Sequence, residues 1–350
     1  MVDIGVIGFG YWGPNLVRNL AALNQAQLRV VCDRSAERLQ AVGRLYPGVD
    51  LIESVPELLG RNDIDAVVVA TPADTHFELA RNILASGRSV FVEKPLAGST
   101  AECEQLIDLA SQKNLVLMVG HTFEYNAAVE YVDDLIARRD LGQIYYIYSQ
   151  RLNLGVVRRD VNALWNLAPH DISIALRWLK KEPVRVCARG YTYLQSGVED
   201  VVYLDLEFDD GVAVHIHVSW LDPGKVRRTT VVGSRKMVVY DDASTEAKIQ
   251  VFDKGIDREP IATEGAPYAS LGEFDSFGKF QLTQRAGDLL IPKIDFTEPL
   301  KRECSHFVDC VRDGARPLTD GESGLRVVRI LEAGTQSLRQ GGIAIDLEAR

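Results

Sequence analysis

Two side chains in this sequence stand where proton chemistry is expected of them, Lys94 and His170. Lys94 lies in "VFVEKPLA" (90–97), just past an apolar run and before a proline, where a buried strand ends rather than on a solvated helix. A lysine at such an edge can donate to a hydroxyl or stabilise alkoxide character; the plainer alternative is a surface charge. His170, in "WNLAPHDIS" (165–173), is of the type whose ordinary pKa, about 6.5, suits it to accept a hydroxyl proton near neutrality. Its alternative is a packing or helix-terminal histidine.

A nucleotide site is written into "GFGYWGPN" (8–15). Gly8, Gly10 and Gly13 follow a short apolar run and form G-x-G-x-x-G: the first permits a tight turn, the second lets backbone approach a pyrophosphate, and the third allows close helix packing. The helix start adds free N–H groups and the positive end of a dipole, and Pro14 is compatible with a first turn. Phe9, Tyr11 and Trp12 fill the same loop. Asp33 closes "VVCDRS" at the end of the second apolar run, where an acid accepts from ribose hydroxyls and repels a 2′-phosphate. NAD is therefore favoured over NADP. Arg34 beside it is the type that accepts that phosphate, and a helix-capping role for Asp33 is the structural alternative. Thr71, Pro72 and His76 in "VVVATPADTH" (67–76), with Glu93 and Lys94, belong to the same crevice, because ligands of open α/β sheets sit at the carboxyl edge.

For the other half of a substrate, "GKVRRTT" (224–230) is a concentrated basic cluster. Lys225, Arg227 or Arg228 could hold a diphosphate, or simply solvate a strand edge. Arg151 and Asn153 in "SQRLNLG" are further sugar-facing candidates. His215 and His217 alternate on one strand face, but no carboxylate or cysteine at ligand spacing accompanies them, so packing or subunit contact is the reading and no metal is expected.

The elements that must position these groups read as two domains, as 350 residues suggest. Over 1–121, apolar runs at Val2 to Ile7, Leu28 to Asp33, Ala66 to Ala70, Ser89 to Val92 and Val116 to Val119 alternate with helical spacing between them. That rhythm is a doubly wound, Rossmann-type parallel sheet. Over 122–350, a helix at Ala127 to Arg138, a strand at Ile144 to Leu152 and a helix at His170 to Trp178 precede strand candidates at 184–193, 201–208, 212–219, 228–232 and 236–240. "FDDG" (208–211) is a hairpin turn between two of them. Successive strands imply an α+β domain with an open, mainly antiparallel sheet. Residues 253–298 carry little periodicity, and helices at Leu300 to Arg312 and Gly321 to Arg339 close the chain.

A net charge of -10 argues against nucleic-acid and anionic-membrane partners. Without a basic flank before the first apolar run, or any run of about 18 apolar residues, neither a signal peptide nor a membrane span is expected, and the expected location is cytoplasmic. Cys32, Cys103, Cys187, Cys304 and Cys310 form no C-x-x-C pair, which fits free thiols.

"GFGYWGPN", "ATPADTH", "EKPLA", "GHTFEYN", "WNLAPHDIS" and "SWLDPGKVRRTTVVGSRKMVVYDD" together resemble the Gfo/Idh/MocA oxidoreductase family, and within it the UDP-N-acetylglucosamine 3-dehydrogenase branch, over nearly the whole chain. The resemblance implies that Lys94 is the EKP lysine and His170 the acid-base histidine. It implies that His121 and Tyr125 line the nicotinamide side of the cleft, and that the open sheet mediates dimers or tetramers. Where the family often has an aspartate four residues before the histidine, this chain has Asn166, so Asp171, the substrate or Lys94 must supply what that charge would. The expected activity is NAD-dependent oxidation of a secondary hydroxyl, C3 of a nucleotide sugar such as UDP-N-acetylglucosamine. The alternatives are a ketoreductase, a dehydrogenase of another sugar, inositol or glycoside, and, in another class, a non-catalytic NAD-binding sensor.

Overall fold

The computed structural model describes residues 1–155, 157–260 and 280–347. The chain begins with β1 (Val2–Ile7), α1 (Gly13–Ala21), β2 (Ala26–Cys32), α2 (Ala36–Leu45), β3 (Asp50–Ile52), α3 (Val55–Leu59) and β4 (Ala66–Val69). A 3₁₀ turn at Ala73–Thr75 leads to α4 (His76–Ala85), β5 (Ser89–Glu93), α5 (Thr100–Lys113) and β6 (Leu117–Gly120). All pairings are parallel and the strand order is β3-β2-β1-β4-β5-β6. Every residue of β4, β5 and β6 is buried, as expected of strands covered on both faces. The crossover through β1 puts a switch point between β1 and β4, where the carboxyl ends open a crevice. β3 and α3 are additions to the sequence reading: β3 is three residues long and half exposed, too short to carry a pattern.

The second half runs through a 3₁₀ turn (Thr122–Tyr125), α6 (Ala127–Ala137), β7 (Ile144–Leu152), α7 (Ala163–Leu179), β8 (Arg185–Tyr191), β9 (Val201–Glu207), β10 (Ala213–Ser219), β11 (Val226–Gly233) and β12 (Met237–Asp241). It continues with β13 (Ile249–Pro260), β14 (Phe280–Leu290), α8 (Pro299–Asp313), α9 (Gly321–Arg339) and β15 (Ile345–Asp346). The sheet order is β14-β13-β12-β11-β7-β10-β9-β8-β15, antiparallel except for β7 beside β10. Gly211, with φ +81°, turns the chain between β9 and β10, so "FDDG" is the hairpin its residues suggest. The weakly periodic 253–298 region contributes parts of β13 and all of β14; its residues 261–279 lie outside the described part.

α7 starts at Ala163, seven residues before the expected start at His170, with Pro169 inside it. Asn162 caps it by accepting from Trp165 N at 3.1 Å, and Ala163, Leu164 and Ala168 bury early in the helix, so packing overrides the proline signal. α8 returns to the first sheet. Its Leu300, Cys304, Phe307 and Val308 share a core with Val2, Ile4, Leu16 and Leu20, and Phe307 meets Phe91 edge to face at 5.7 Å. Glu298, just before α8, accepts from Arg18 at 2.5 Å and from Asn19 at 3.1 Å. α9 then packs against α5 and β6 on one side and α7 and β8 on the other, tying the domains together.

α7 covers one face of the large sheet; the opposite face presents Tyr146, Tyr148, His215 and Tyr203. There His215 Nδ1 lies 2.5 Å from Asp205 Oδ1 and the His217 ring stacks on Tyr203 at 4.3 Å. Among the described residues no helix is long and apolar enough to cross a membrane, and no group of three His, Cys, Asp or Glu is arranged to hold a metal ion.

Candidate active site

The crevice begins at the glycine loop. Gly8 has φ +99°, and a Cβ there would stand 2.5 Å from Ala70 O; at Gly13 it would stand 2.3 Å from Gly8 O. Glycine is therefore required at both positions. Gly10 differs: a Cβ would meet only Arg38 Nη1 at 3.8 Å, so the backbone there is open to a ligand. α1 has no side-chain cap, which leaves its first N–H groups available. Asp33 is buried, accepting from Phe9 N at 2.7 Å through Oδ2 and from Ser35 N at 2.9 Å through Oδ1. Ser35, rather than Asp33, caps α2.

Other expected crevice residues divide by where they point. Tyr11 is 93% exposed at the tip of the loop, Trp12 is partly exposed, and Arg34 and Pro72 are exposed. Phe9 instead buries its ring in the first core, contributing only its N–H to the loop. Thr71 Oγ1 lies 2.7 Å from Thr75 Oγ1. His76 is turned inward: its ring nitrogens lie 2.7 Å from Pro95 O and 3.0 Å from Thr71 O, so it braces two strand-end loops instead of touching a ligand. Arg38 was not anticipated. Its guanidinium sits 3.5 Å from Asp33 and near Gly10, placed by the first turn of α2, a position with no signature in the sequence.

At the other end, the Lys94–Pro95 peptide is cis, and Lys94 Nζ donates to Asn166 O at 2.9 Å. α7 thereby brings Lys94 and His170 into one locality; burial first, then the charges of Lys94, Arg151 and Arg227, hold the His170 imidazole well below its ordinary pKa. It is neutral at pH 7. Burial likewise pushes Lys94 down to about 8 and Glu93 up to about 7. His121, driven by burial down to about 3, is fully buried, and among the described residues neither of its ring nitrogens has a partner, nor do Glu93 Oε1 and His170 Nδ1. Polar atoms orphaned beside an open glycine cradle fit a bound dinucleotide, whose polar groups can meet them.

Asn166 and Asp171 define how His170 is supported. The side-chain Oδ1 of Asn166 accepts from Trp220 Nε1 at 3.3 Å. Asp171 faces away into the sheet, accepting from Arg151 Nε at 2.6 Å and Ser149 Oγ at 2.6 Å. It is therefore not the acid behind the imidazole. The same pairing holds the buried Arg151 guanidinium 4.6 Å above the Phe123 ring. Phe123 in turn packs on His170 at 4.9 Å, a positioning contact that "GHTFEYN" contained without marking. Tyr125 is buried with its hydroxyl 3.2 Å from Thr319 Oγ1, against α8 and not in the cleft. Asn153 is half-buried at the end of β7. Strand alternation splits the basic cluster: Arg227 pairs with Arg151 on the α7 side and approaches Asp242 at 3.3 Å, Arg228 lies on the open face near Asp241, and Lys225 is exposed before the strand.

A glycine-cradled crevice on a 3-2-1-4-5-6 sheet, joined to a mostly antiparallel domain that brings a histidine to the strand-end lysine, defines a two-domain dinucleotide-binding protein of oxidoreductase type. Comparison with known proteins agrees. Residues 2–121 match the oxidoreductase family GFO_IDH_MocA, NAD-binding Rossmann fold, and residues 129–239 match the GFO/IDH/MocA C-terminal domain. The chain belongs to the Gfo/Idh/MocA oxidoreductase family. It is 30% identical over 151 residues to an uncharacterized oxidoreductase of Streptococcus pneumoniae, covering 43% of this chain and 40% of that protein. It is 32% identical over 192 residues to a UDP-N-acetylglucosamine 3-dehydrogenase of Acidithiobacillus ferrooxidans, covering 53% of this chain and 57% of that one. The matched regions thus span about half the length of these relatives. A solved structure of UDP-N-acetylglucosamine 3-dehydrogenase from Acidithiobacillus ferrooxidans shares the fold with TM-score 0.78 at 24% identity, over 97% of this chain and 98% of the other.

Proposed function

We propose that this protein is an NAD-dependent dehydrogenase that oxidises a secondary hydroxyl, at C3, of a nucleotide sugar such as UDP-N-acetylglucosamine. The observation that carries the reading is the meeting of Lys94 and His170 at the strand-end crevice beside the glycine cradle. The named activity of the Acidithiobacillus ferrooxidans relative supports the substrate class. When bound, the nicotinamide supplies a hydride acceptor. Gly8, Gly10 and Gly13 with the first turn of α1 hold the pyrophosphate, and Asp33 takes the ribose. His170, neutral at physiological pH, accepts the hydroxyl proton at an imidazole nitrogen. Lys94, fixed through Asn166 O, donates to the same oxygen and stabilises its developing charge. Arg227, on the α7 side of the sheet, and the exposed Lys225 are the candidates for the substrate's phosphates. The open face with its tyrosines is the surface through which we expect the chain to form a homodimer or homotetramer.

The test is turnover of a UDP- and dTDP-sugar panel beside free glucose and inositol, with NAD and with NADP. Reduction of NAD with a nucleotide sugar is expected. His170→Ala and Lys94→Ala should each lower kcat by roughly 10²- to 10⁴-fold while NAD still binds. Near-wild-type turnover in either variant removes that residue from the mechanism, and NAD binding without turnover of any sugar or keto sugar would leave a sensor.

A further inference from the structure

Asp33, just past β2, and the glycine loop after β1 would hold the adenosine ribose and pyrophosphate of a dinucleotide, and Lys94, just past β5, is where the dehydrogenase reading puts its chemistry. Glu93 is the last residue of β5. Its carboxylate lies over Gly120 of the neighbouring strand, where a Cβ would stand 3.0 Å from Glu93 Oε2. Oε2 accepts from Lys94 N at 3.3 Å, Oε1 has no partner, and the Trp12 indole N–H from the glycine loop lies beside the group. Trp12 therefore links the pyrophosphate cradle to Glu93 within the reach of one indole. Behind it, fully buried Glu303 of α8 accepts from Thr122 Oγ1 at 2.6 Å through Oε2 and leaves Oε1 unpartnered.

Resting on the dehydrogenase reading above, we propose that Glu93 is a specificity-determining carboxyl that distinguishes oxidised from reduced cofactor by exchanging one proton, charged beside the cationic nicotinamide and neutral beside the uncharged one. The groups facing it decide which state holds. Lys94, the next residue in the chain, favours the charged form, and so does the nearby Trp12 indole. Glu303, from α8, is kept neutral chiefly by burial and next by Glu93 itself. Glu124 from the 3₁₀ turn is also held neutral by burial, while Arg326 from α9 faces Glu124 and His121. The site thus carries little charge of its own to compensate a cation, and ionisation of Glu93 supplies it. The balance is simple: entry of NAD⁺ expels the Glu93 proton to solvent. When the alcohol gives its hydride to the ring and its proton to the protein, the ring loses its charge and Glu93 regains a proton, so ketone, NADH and neutral Glu93 replace alcohol, NAD⁺ and carboxylate. His170 takes the alcohol's proton in transit and is neutral again once Glu93 has regained one, and His121 stays neutral throughout, so neither histidine changes the net count.

Isothermal titration of the full chain with NAD⁺ and with NADH, in paired buffers of low and high ionisation enthalpy, cacodylate and Bis-Tris in the acidic range and phosphate and Tris in the alkaline range, counts the protons released at each pH from 5.5 to 8. NAD⁺ should release close to one proton at pH 5.5 to 6.5 and gain up to about tenfold in affinity per pH unit there, while NADH releases none and keeps its affinity. Lys94 repels the same cation but titrates nearer pH 8, so the lower window isolates the carboxyl. Glu93→Gln, verified as folded by its melting transition, should abolish the NAD⁺ proton release and leave NADH affinity near wild type. Equal proton counts for the two nucleotides in the wild type, or release persisting in Glu93→Gln, overturns the inference while leaving the dehydrogenase intact. Failure of both nucleotides to bind at any pH overturns the dehydrogenase reading and this inference with it.

Discussion

At the scale of single residues, the site is organised around an imidazole with no acid behind it among the described residues. Asn166 offers only an amide, already bonded to Trp220, and Asp171 is bound to Arg151 and Ser149. The cations around His170 therefore act without a compensating anion, and its proton affinity is low. Asn166→Asp places a carboxylate on the same turn, which favours imidazolium. In that variant the acidic limb of kcat/KM against pH should move to higher pH by about one unit, because the base must be deprotonated to work. An unmoved limb would mean that another group, Lys94 first, takes the proton. The types and spacing of Lys94, His170 and the three glycines were readable because glycine conformation and strand-end placement leave marks in sequence. The directions of His76, Tyr125 and Arg151 were not, since each lies at a strand end or turn where a residue's face is set by partners distant in the chain: Pro95, Thr319 and Asp171.

At the scale of elements, the parallel sheet was legible because strands buried on both faces read as unbroken apolar runs. α7 was legible only in its second half. Pro169 lacks the N–H that would bond Trp165 O, and such a residue ordinarily marks a boundary. The real start is set by Asn162, which accepts from Trp165 N and donates to Glu199 Oε2 at 2.7 Å. Asn162→Ala should cost about 1 kcal/mol of stability, read as a lowered urea midpoint at unchanged slope. The same loss loosens the turn that carries Asn166, so KM for the sugar should rise along with it. A midpoint within error of the wild type would show that packing of Ala163 and Leu164 alone sets the start. β13 and β14 escaped the sequence reading for another reason: as a hairpin at the sheet's outer edge, they carry exposed side chains such as Ile256, Leu289 and Leu290 that break the alternation of a half-buried strand.

At the scale of the whole molecule, the open sheet face gathers Tyr146, Tyr148, Tyr203 and Tyr191, with aromatic contacts between neighbours. Tyr203→Asp should shift the mass measured by light scattering toward the monomer without changing NAD affinity; a protein monomeric before the change would assign the face no such role. The other global feature is the return of α8 to the first sheet. Leu300, Phe307 and Val308 complete a core that begins with Val2 and Ile4, so residues 1–121 expressed alone should be insoluble or bind NAD poorly, and co-expression of 122–350 should rescue them. Soluble, NAD-binding 1–121 would contradict this. The dependence has a direction in time. The nucleotide-binding strands precede α8 in the chain, so during synthesis they hold an unfinished apolar face until α8 follows. Until α8 has been made, that face has no cover from within the chain, which is the condition under which a nascent-chain chaperone would bind it.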